Sequence, residues 1–256
     1  MYTLGIDIGS TTSKCAVIKD GKELVAHSLQ TGGLGTGGPE EAMAQLWQSC
    51  GLTRQDMACA FVTGYGRKNY EGADGEISEL TAHALGGRFV FPDLRTVIDI
   101  GGQDTKVIGV SGGAVQDFLM NDKCSAGTGR FLEIMANRLG MRPEELCALA
   151  ARGGGASISS ICTVFAESEV VSLIGQGAPR EDIAYAVVDS IAGKVVTQAK
   201  KLGGSYGAVC LTGGLCQTEY LPDAIAERLG APVLTHPQGR FAGAIGAALA
   251  ARRLSR

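Results

Sequence analysis

Three short apolar segments divide the chain, and each ends in a polar loop that contains glycine. They are 4–9 (LGIDIG), 97–102 (VIDIGG) and 208–214 (AVCLTGG). Their composition predicts buried β-strands whose terminal loops bind ligands. Apolar residues at helical spacing predict helices at 39–48, 77–85, 125–139, 143–152, 164–175, 180–202 and 242–253. This alternation of strands and helices predicts an α/β fold.

The first two strand segments belong to an internal repeat. The sequence Ile-Asp-Ile-Gly-Ser-Thr-Thr-Ser-Lys at 6–14 is related to Ile-Asp-Ile-Gly-Gly-Gln-Asp-Thr-Lys at 98–106, and a second apolar run and a glycine turn follow each copy. A repeat of strand, polar turn and strand at about a domain's spacing predicts two half-molecules of similar topology. The segment 89–93, which contains Pro92, is predicted to cross from one half to the other.

Composition and charge exclude several classes of function. The chain has 256 residues, of which 45% are hydrophobic and 19% charged, enough for one large domain or two smaller ones. Its net charge is -3, and its lysines and arginines are scattered, so nucleic acid is not an expected partner. No leader-like segment opens the sequence and no window has the length of a membrane span, which predicts a cytoplasmic protein without a membrane partner.

The eight cysteines are not arranged as CxxC pairs. This spacing excludes zinc ribbons, thioredoxin-like motifs and the usual ferredoxin run. In a chain without a secretion signal, cysteines are better interpreted as reduced thiols or metal ligands than as a disulfide framework.

The repeated loops carry the chemistry of a phosphate site. In each, an aspartate closes an apolar strand and is followed by glycine and by polar or hydroxyl side chains. Backbone N–H groups and hydroxyls of such loops bind phosphate oxygens, and the carboxylate can reach a hydrated Mg²⁺. One copy alone is a weak signal, but the duplication and the third loop at 211–214 favour a nucleotide site.

Two cysteines stand apart from the rest. Cys124 precedes a predicted amphipathic helix, and Cys162 precedes another, so that a thiolate would lie near a positive helix end. An iron–sulfur cluster usually takes four cysteinates, and a twofold dimer would supply the missing two. Spacing alone favours the alternative that both are buried core residues. The same interpretation applies to the remaining cysteines: Cys15, Cys50, Cys59, Cys147, Cys210 and Cys216.

The three strand loops resemble the phosphate-1, phosphate-2 and adenosine motifs of the superfamily of acetate and sugar kinases, heat-shock chaperone ATPases and actin. The resemblance implies two RNase H-like domains around a nucleotide cleft that binds ATP or ADP. The first would span 1–92, with 243–256 packing back on it, and the second 93–242.

The superfamily resemblance also implies site residues. Asp7 and Asp99 would hold Mg²⁺ through water. Phosphate contacts are implied for Gly9, Ser10, Thr11, Thr12, Lys14, Gly101, Gly102 and Gln103. Adenosine contacts are implied for Gly213, Gly214 and Gln217. Gln103 or Asp104 would position the attacking water, Glu79 is a candidate for a second polarising role, and His83 is expected to be a packed or surface histidine.

A narrower resemblance rests on the segments NDKCSAGTGRF, SSICTVFAESEV, DIGGQDTK and TGYGR. These resemble the activator, or archerase, component of 2-hydroxyacyl-CoA dehydratases, in the BadF/BadG/BcrA/BcrD ATPase family. The resemblance implies that Cys124 and Cys162 of two subunits hold one oxygen-sensitive 4Fe-4S cluster per homodimer, in a helix-cluster-helix element at the dimer interface. ATP hydrolysis would then drive an electron from ferredoxin or flavodoxin to the dehydratase.

Three alternatives to this function remain open at the level of sequence. The first alternative is an activator of a related double-cubane-cluster protein or acyl-CoA reductase, since activators of these proteins share the ATPase motifs. A small-molecule kinase is a second alternative, although no additional segment supplies an acceptor pocket with a base. A nucleotide-dependent regulator without iron is the third.

Overall fold

The computed structural model describes residues 1–159, 162–203 and 206–254. The chain forms two compact units, neither of them continuous in sequence. Unit 1 consists of Met1–Val97, Val110–Gln116 and the C-terminal segment from Gln238, and unit 2 consists of Ile98–Gly109 and Asp117–Pro237. No helix among the described residues has both the length and the apolar character needed to cross a membrane.

Ten strands and eight helices lie in the described part of the chain. The strands are β1 Tyr2–Ile8, β2 Thr12–Lys19, β3 Glu23–Thr31, β4 Met57–Thr63, β5 Gly75–Glu76, β6 Leu94–Ile100, β7 Thr105–Ser111, β8 Ala114–Asn121, β9 Ala208–Gly213 and β10 Val233–Leu234. The helices are α1 Gly38–Cys50, α2 Glu79–Val90, α3 Gly129–Arg138, α4 Pro143–Ala150, α5 Thr163–Gly175, α6 Arg180–Leu202, α7 Leu221–Leu229 and α8 Ala242–Leu254.

The two sheets have the same topology. The first has the strand order β3-β2-β1-β4-β5, and the second, read from its other edge, is β8-β7-β6-β9-β10. In the first sheet β1 is antiparallel to β2 and parallel to β4. The central strand β1 is buried along nearly its whole length, which explains its continuous apolar composition. The predicted repeat of two similar halves is confirmed.

The predicted strands and helices are all present, with shifted boundaries. The largest difference is at the helix predicted over 77–85, because α2 ends only at Val90. The helix predicted from 125 also differs, because α3 begins only at Gly129. The Thr128 backbone N–H and hydroxyl both donate to the Ser125 carbonyl, so 125–128 forms a turn instead of helix. Six elements were not predicted from the pattern: β3, β4, β5, β8, β10 and α7.

The helices cover the sheets with small or apolar faces. In unit 1, α8 presents alanine and glycine to the sheet, and its buried residues run from Ala242 to Ala251. In unit 2, α3, α4 and α6 contribute to one core whose largest fully buried side chains include Phe131, Leu132, Met135, Leu146 and Ile183. Burial of apolar side chains is the main source of stability in each unit.

Candidate nucleotide and cysteine sites

The first strand loop, at residues 9–11, joins β1 to β2 in unit 1. The antiparallel register sets Asp7 opposite Lys14, and the Lys14 Nζ lies 3.5 Å from the Asp7 Oδ2. Both side chains are about nine-tenths buried, whereas Ser10 and Thr11 are exposed at the tip. The Gly9 N–H donates to the Thr12 carbonyl at 3.0 Å and closes the turn. The loop therefore offers hydroxyls and N–H groups beside a buried, charge-paired carboxylate.

A neighbouring segment holds this turn in place. The Gly32 N–H donates to the Thr11 carbonyl at 2.8 Å, and the Leu34 N–H donates to the Gly9 carbonyl at 3.1 Å. The Ser13 hydroxyl donates in turn to the Gly32 carbonyl at 2.8 Å. With its carbonyls already engaged, the turn is pre-organised, which lowers the entropy cost of binding an anion.

The second strand loop, between β6 and β7, lies in unit 2. Asp99 is buried; its Oδ1 accepts a hydrogen bond from the Thr212 hydroxyl at 2.8 Å, and its Oδ2 lies 3.4 Å from the Lys106 Nζ. The Lys106 Nζ also lies 2.8 Å from the Asp104 Oδ2. Gln103, by contrast, is exposed at the tip of the loop. Of the two residues predicted to position water, Asp104 is thus engaged in an ion pair and Gln103 faces solvent.

The two units repeat this arrangement beyond the motif found in the sequence. In each, an aspartate–lysine pair lies beside a Thr-Gly dipeptide that ends the neighbouring strand, Thr63-Gly64 at β4 and Thr212-Gly213 at β9. Thr63 and Gly64 were not among the predicted site residues. The signal that could have found them is an apolar strand ending in Thr-Gly in both halves of the sequence.

Both dipeptides require glycine. Gly64 and Gly213 have φ values of +92° and +87°, which residues with a Cβ rarely adopt. An ideal Cβ would lie 2.4 Å from the Ile8 carbonyl oxygen at Gly64, and 2.4 Å from the Ile100 carbonyl oxygen at Gly213. The same close approach therefore occurs next to Asp7 and next to Asp99.

Glu79 and His83 both lie on α2, near the first loop. The Glu79 Oε1 is 3.8 Å from the Arg67 Nη1, and the same Arg67 nitrogen donates to the Gly64 carbonyl at 3.1 Å. His83 is buried, so it is a packed and not a surface histidine. A Cβ placed on Gly243 would be 3.2 Å from the His83 Nε2 and 2.7 Å from the Asp7 Oδ2, which locates the imidazole beside the carboxylate.

The residues predicted to bind adenosine follow β9 in unit 2. The Cys216 N–H donates to the Gly213 carbonyl at 3.3 Å and makes a tight turn. Within that turn Gly214 is exposed, and Gln217 after it is exposed as well. Both residues belong to unit 2, which also holds Asp99, and because they are exposed they can contact a ligand.

Exposure separates the cysteines into two groups. Among the described residues Cys124 and Cys162 are exposed, Cys50 is half-buried, and the others are buried: Cys15, Cys59, Cys147, Cys210 and Cys216. Burial raises the pKa of the Cys15 and Cys147 thiols to about 12, and it also raises the pKa of the Cys210 thiol. These three thiols remain protonated near neutral pH and are poor ligands.

The fold brings the segments of the two exposed cysteines together. The hydroxyls of Ser125 and Thr163, the residues that follow Cys124 and Cys162, are hydrogen-bonded at 2.8 Å. Asn121 holds the first segment, since its Nδ2 donates to the Cys124 carbonyl at 2.8 Å. Two thiols 38 positions apart in sequence therefore share one surface of unit 2.

Only one of the two cysteines caps a helix. Cys162 is the N-cap of α5, and its carbonyl accepts the Ala166 N–H at 2.9 Å. Cys124 does not have the predicted position, because the N-cap of α3 is Thr128 and the 125–128 turn intervenes. Ser160 and Ile161, in the segment before Cys162, lie outside the described residues.

A lysine lies near both thiols. Burial lowers the pKa of Lys194 on α6, and the charges of Cys124 and Cys162 oppose that shift. The Lys194 Nζ is 5.1 Å from the centre of the Phe131 ring, a distance typical of cation–π contacts. A half-buried cation is thus held where it lowers the electrostatic cost of negative charge on the sulfurs.

The segment that follows Cys124 is hydrogen-bonded directly to the second strand loop. The Gly129 N–H donates to the Gly101 carbonyl, and the Arg130 N–H donates to the Gly102 carbonyl, both at 2.9 Å. The Thr105 hydroxyl donates to the Gly127 carbonyl at 2.6 Å. A shift of the 101–104 loop therefore acts on the backbone that leads to Cys124 without an intervening element.

Next to Cys162, α5 exposes apolar side chains. Val164 and Phe165 are each 66% exposed, and Val171 and Ile174 are also exposed. In the described part of the chain no group of three or more His, Cys, Asp or Glu side chains could hold a metal ion. The described residues of a single chain therefore present a pair of thiols beside an apolar helix face, and not a complete metal site.

Several known proteins are similar to this chain over nearly its whole length. The profile of the BadF/BadG/BcrA/BcrD ATPase family matches residues 4–251. The chain is 47% identical to the (R)-2-hydroxyglutaryl-CoA dehydratase activating ATPase of Acidaminococcus fermentans, over 97% of this chain and 96% of that protein. It is 43% identical to the 2-hydroxyisocaproyl-CoA dehydratase activator of Clostridioides difficile, over 97% and 94%. A benzoyl-CoA reductase subunit of Thauera aromatica is 30% identical over 96% and 92%.

Solved structures of known proteins have the same fold as this chain. The Acidaminococcus fermentans (R)-2-hydroxyglutaryl-CoA dehydratase component A superposes with a TM-score of 0.96 at 46% identity, covering 100% of this chain and 99% of that one. The Clostridium difficile activator with bound ADPNP has a TM-score of 0.96 at 42% identity, covering 100% and 96%. A ROK family glucokinase from Streptomyces griseus shares the fold at a TM-score of 0.63 and 18% identity, covering 99% and 100%. The predicted actin-like ATPase fold is confirmed.

Proposed function

The chain belongs to the BadF/BadG/BcrA/BcrD ATPase family, and from that premise we propose that it is an ATP-driven electron-transfer activator. In this proposal a homodimer receives one electron from ferredoxin or flavodoxin on a bridging 4Fe-4S cluster. Binding and hydrolysis of ATP then drive the electron to a 2-hydroxyacyl-CoA dehydratase in the cytoplasm. The ATPase half of the proposal rests on the family, and the electron-transfer half rests on the cysteine surface.

One observation carries the electron-transfer half. The segments of two exposed thiols are joined by the hydrogen bond between Ser125 and Thr163, and the segment that follows Cys124 is hydrogen-bonded to the 101–104 phosphate loop. A regulator or a kinase has no need of that arrangement, because neither passes anything from the nucleotide site to a pair of sulfurs. An ATPase that moves electrons does need it, because nucleotide occupancy must change the surroundings of the redox group.

The residues present fit a cluster shared by two copies of the chain. An Fe–S cluster is held by cysteine thiolates, usually four, and one chain contributes Cys124 and Cys162. A twofold axis supplies the same pair again. Val164 and Phe165 are exposed apolar residues next to this pair, as expected of a face that a second copy covers. When bound, the cluster would accept and release one electron at a time.

The two phosphate loops have separate roles in the proposal. Asp7 and Asp99 would hold hydrated Mg²⁺, and the Ser10 and Thr11 hydroxyls would bind phosphate oxygens. Gln103 is our choice for orienting the attacking water, since the Asp104 carboxylate is paired with Lys106. Adenosine contacts are assigned to residues of the β9 turn, namely Gly213, Gly214 and Gln217. Glu79, paired with Arg67, would polarise the site through charge and not as a free base.

A related acceptor is a second candidate. The similarity to a benzoyl-CoA reductase subunit favours an acyl-CoA reductase or a double-cubane-cluster protein as the alternative partner. The proposed chemistry of this chain is the same in either case, because the acceptor performs the reaction on the acyl-CoA.

The proposal is tested on protein purified without oxygen. We expect about four iron and four sulfide per dimer, and an EPR signal after dithionite reduction that changes when ATP or ADP is added. Protein that stays free of iron after anaerobic reconstitution would leave the kinase or the regulator as the function of the ATPase fold. A phosphorylated small molecule formed in the presence of ATP would identify the kinase.

Lys194 provides a further prediction about the redox group. Replacing Lys194 by Met is expected to lower the midpoint potential by about 60 mV, a tenfold change in the reduction equilibrium, because one nearby positive charge no longer stabilises the reduced cluster. The measurement is a redox titration monitored by EPR. Lys194→Arg keeps the charge and should retain the wild-type potential. An unchanged potential in Lys194→Met would contradict the role given to this lysine.

A further inference from the structure

Thr63 carries a hydroxyl that differs from its counterpart in the other unit. It is the last residue of β4, its side chain is fully buried, and its Oγ1 has no hydrogen-bond partner among the described residues. A buried hydroxyl without a partner costs free energy, and nearly all such groups in folded proteins are satisfied. The buried hydroxyl therefore requires an explanation.

The counterpart in unit 2 shows what the same position can do. There the Thr212 hydroxyl donates to the Asp99 Oδ1 at 2.8 Å. The surroundings in unit 1 match closely: the parallel register sets Thr63 opposite Asp7, and a Cβ on Gly64 would be 2.7 Å from the Asp7 Oδ1. In unit 2, a Cβ placed on Gly213 would be 2.9 Å from the Asp99 Oδ1. The hydrogen bond from the threonine hydroxyl to the aspartate is present in unit 2 and missing in unit 1.

The partners of Asp7 lie on its other oxygen. The Lys14 Nζ lies 3.5 Å from the Oδ2, and a Cβ placed on Gly243, at the start of α8, would lie 2.7 Å from the Oδ2. The Oδ1 side, where Gly64 approaches, is the side on which Thr212 binds Asp99 in the other unit. Thr63 thus brings a hydroxyl without a partner to the strand position opposite Asp7, the carboxylate that is assigned to hydrated Mg²⁺.

We propose that Thr63 is a positioning residue whose hydroxyl is satisfied when Mg²⁺ and nucleotide bind at Asp7, through a hydrogen bond to water in the hydration shell of the ion. The inference rests on the proposed role of Asp7. Mg²⁺ in proteins keeps several of its waters, and these bind to nearby oxygens. Thr212 has no such role, because its hydroxyl already serves Asp99. Thr212 is therefore a structural threonine, whereas the Thr63 hydroxyl gains its hydrogen bond when the ligand binds.

The experiment compares Thr63→Val, which removes the hydroxyl but keeps the shape, with Thr63→Ser, which keeps the hydroxyl. Each full-length variant is purified without oxygen, and its thermal midpoint is measured in EDTA without nucleotide. The affinity for ADPNP is then measured with Mg²⁺ and in EDTA. Thr63→Val should be at least as stable as wild type without ligand, yet bind ADPNP about tenfold more weakly with Mg²⁺ and equally well in EDTA.

Thr212→Val is the matched control, and we expect the opposite effect on the thermal midpoint. It should lower the thermal midpoint without ligand, since buried Asp99 loses a hydrogen-bond donor. Thr63→Ser should retain the Mg²⁺-dependent affinity of wild type. Should Thr63→Val fold poorly, Thr63→Ala provides the same comparison of affinity with and without Mg²⁺.

Three results would overturn the proposal. A lower thermal midpoint for both Thr63→Val and Thr63→Ala, with Thr63→Ser unaffected, would mean that the hydroxyl is already bonded in the free protein. Unchanged Mg²⁺-dependent affinity in the variants would mean that the hydroxyl has no role in binding. If wild type itself binds ADPNP equally with and without Mg²⁺, the assignment of Asp7 fails as well, which separates that failure from one of Thr63 alone.

Discussion

Replacing Cys124 or Cys162 by serine is expected to reduce the iron content of the anaerobically purified protein from about four per dimer to less than one. In the proposed homodimer, one substitution would remove two of the four thiolates, and an alkoxide is a poor substitute for a soft sulfur ligand. The measurements are iron and acid-labile sulfide per dimer and the EPR signal after reduction. ATP-dependent electron transfer to the acceptor should be lost together with the cluster.

Cys50→Ser is the matched control for these substitutions. Cys50 ends α1 in unit 1, is half-buried, and its thiol donates to the Leu46 carbonyl, so that serine can make the same bond. It should retain the iron of wild type. Binding of ADPNP should survive in all three variants, which separates loss of the cluster from loss of the fold. Retention of iron and electron transfer in Cys124→Ser would show that the ligand assignment is wrong.

Much of the fold could be predicted from the sequence because the repeat is local. The aspartate, glycine and lysine of each strand loop recur at the same spacing, so 6–14 and 98–106 indicated two related halves. Strand β3 was less visible, since its burial alternates and its charged and polar positions weaken the pattern. Strand β8 is mostly exposed, and it therefore lacks the apolar run by which the other strands were found.

The candidate sites were less predictable because tertiary contacts create them. Spacing alone favoured buried roles for Cys124 and Cys162, and the structure shows instead that both are exposed. The hydroxyl contact between Ser125 and Thr163, which joins their segments, spans 38 positions. Lys194 comes from a third element, and no local pattern connects it with either cysteine.

The residue opposite the first aspartate in the neighbouring strand was missed for a related reason. Thr63 and Gly64 follow an apolar run that was not predicted as a strand, although β4 pairs directly with β1. Their meaning depends on comparison with Thr212 and Gly213, and that comparison needs the common sheet topology. A repeat found in one loop of each half should therefore be extended to the neighbouring strands before site residues are selected.

Substituting Asn for Asp7 or for Asp99 is expected to lower the rate of ATP hydrolysis about 100-fold or more. The amide keeps the size of the side chain but removes the negative charge that would hold hydrated Mg²⁺ against the phosphates. The two variants should differ in stability. Asp7→Asn leaves the nine-tenths buried Lys14 without its carboxylate, whereas Lys106 retains Asp104 at 2.8 Å when Asp99 is changed.

The measurements for these variants are phosphate release at saturating Mg²⁺ and ATP, and the thermal midpoint of each protein. Asp56→Asn is the control. Asp56 is exposed, and its carboxylate accepts hydrogen bonds from the backbone N–H and the hydroxyl of Thr53 within one turn, so the rate of ATP hydrolysis should be unchanged. If Asp7→Asn keeps more than a third of the wild-type rate, the ion is held elsewhere. A loss confined to Asp99→Asn would assign the metal to unit 2 alone, and the pairing of Asp7 with Lys14 would then be structural, because a buried lysine needs a counter-charge whether or not nucleotide binds.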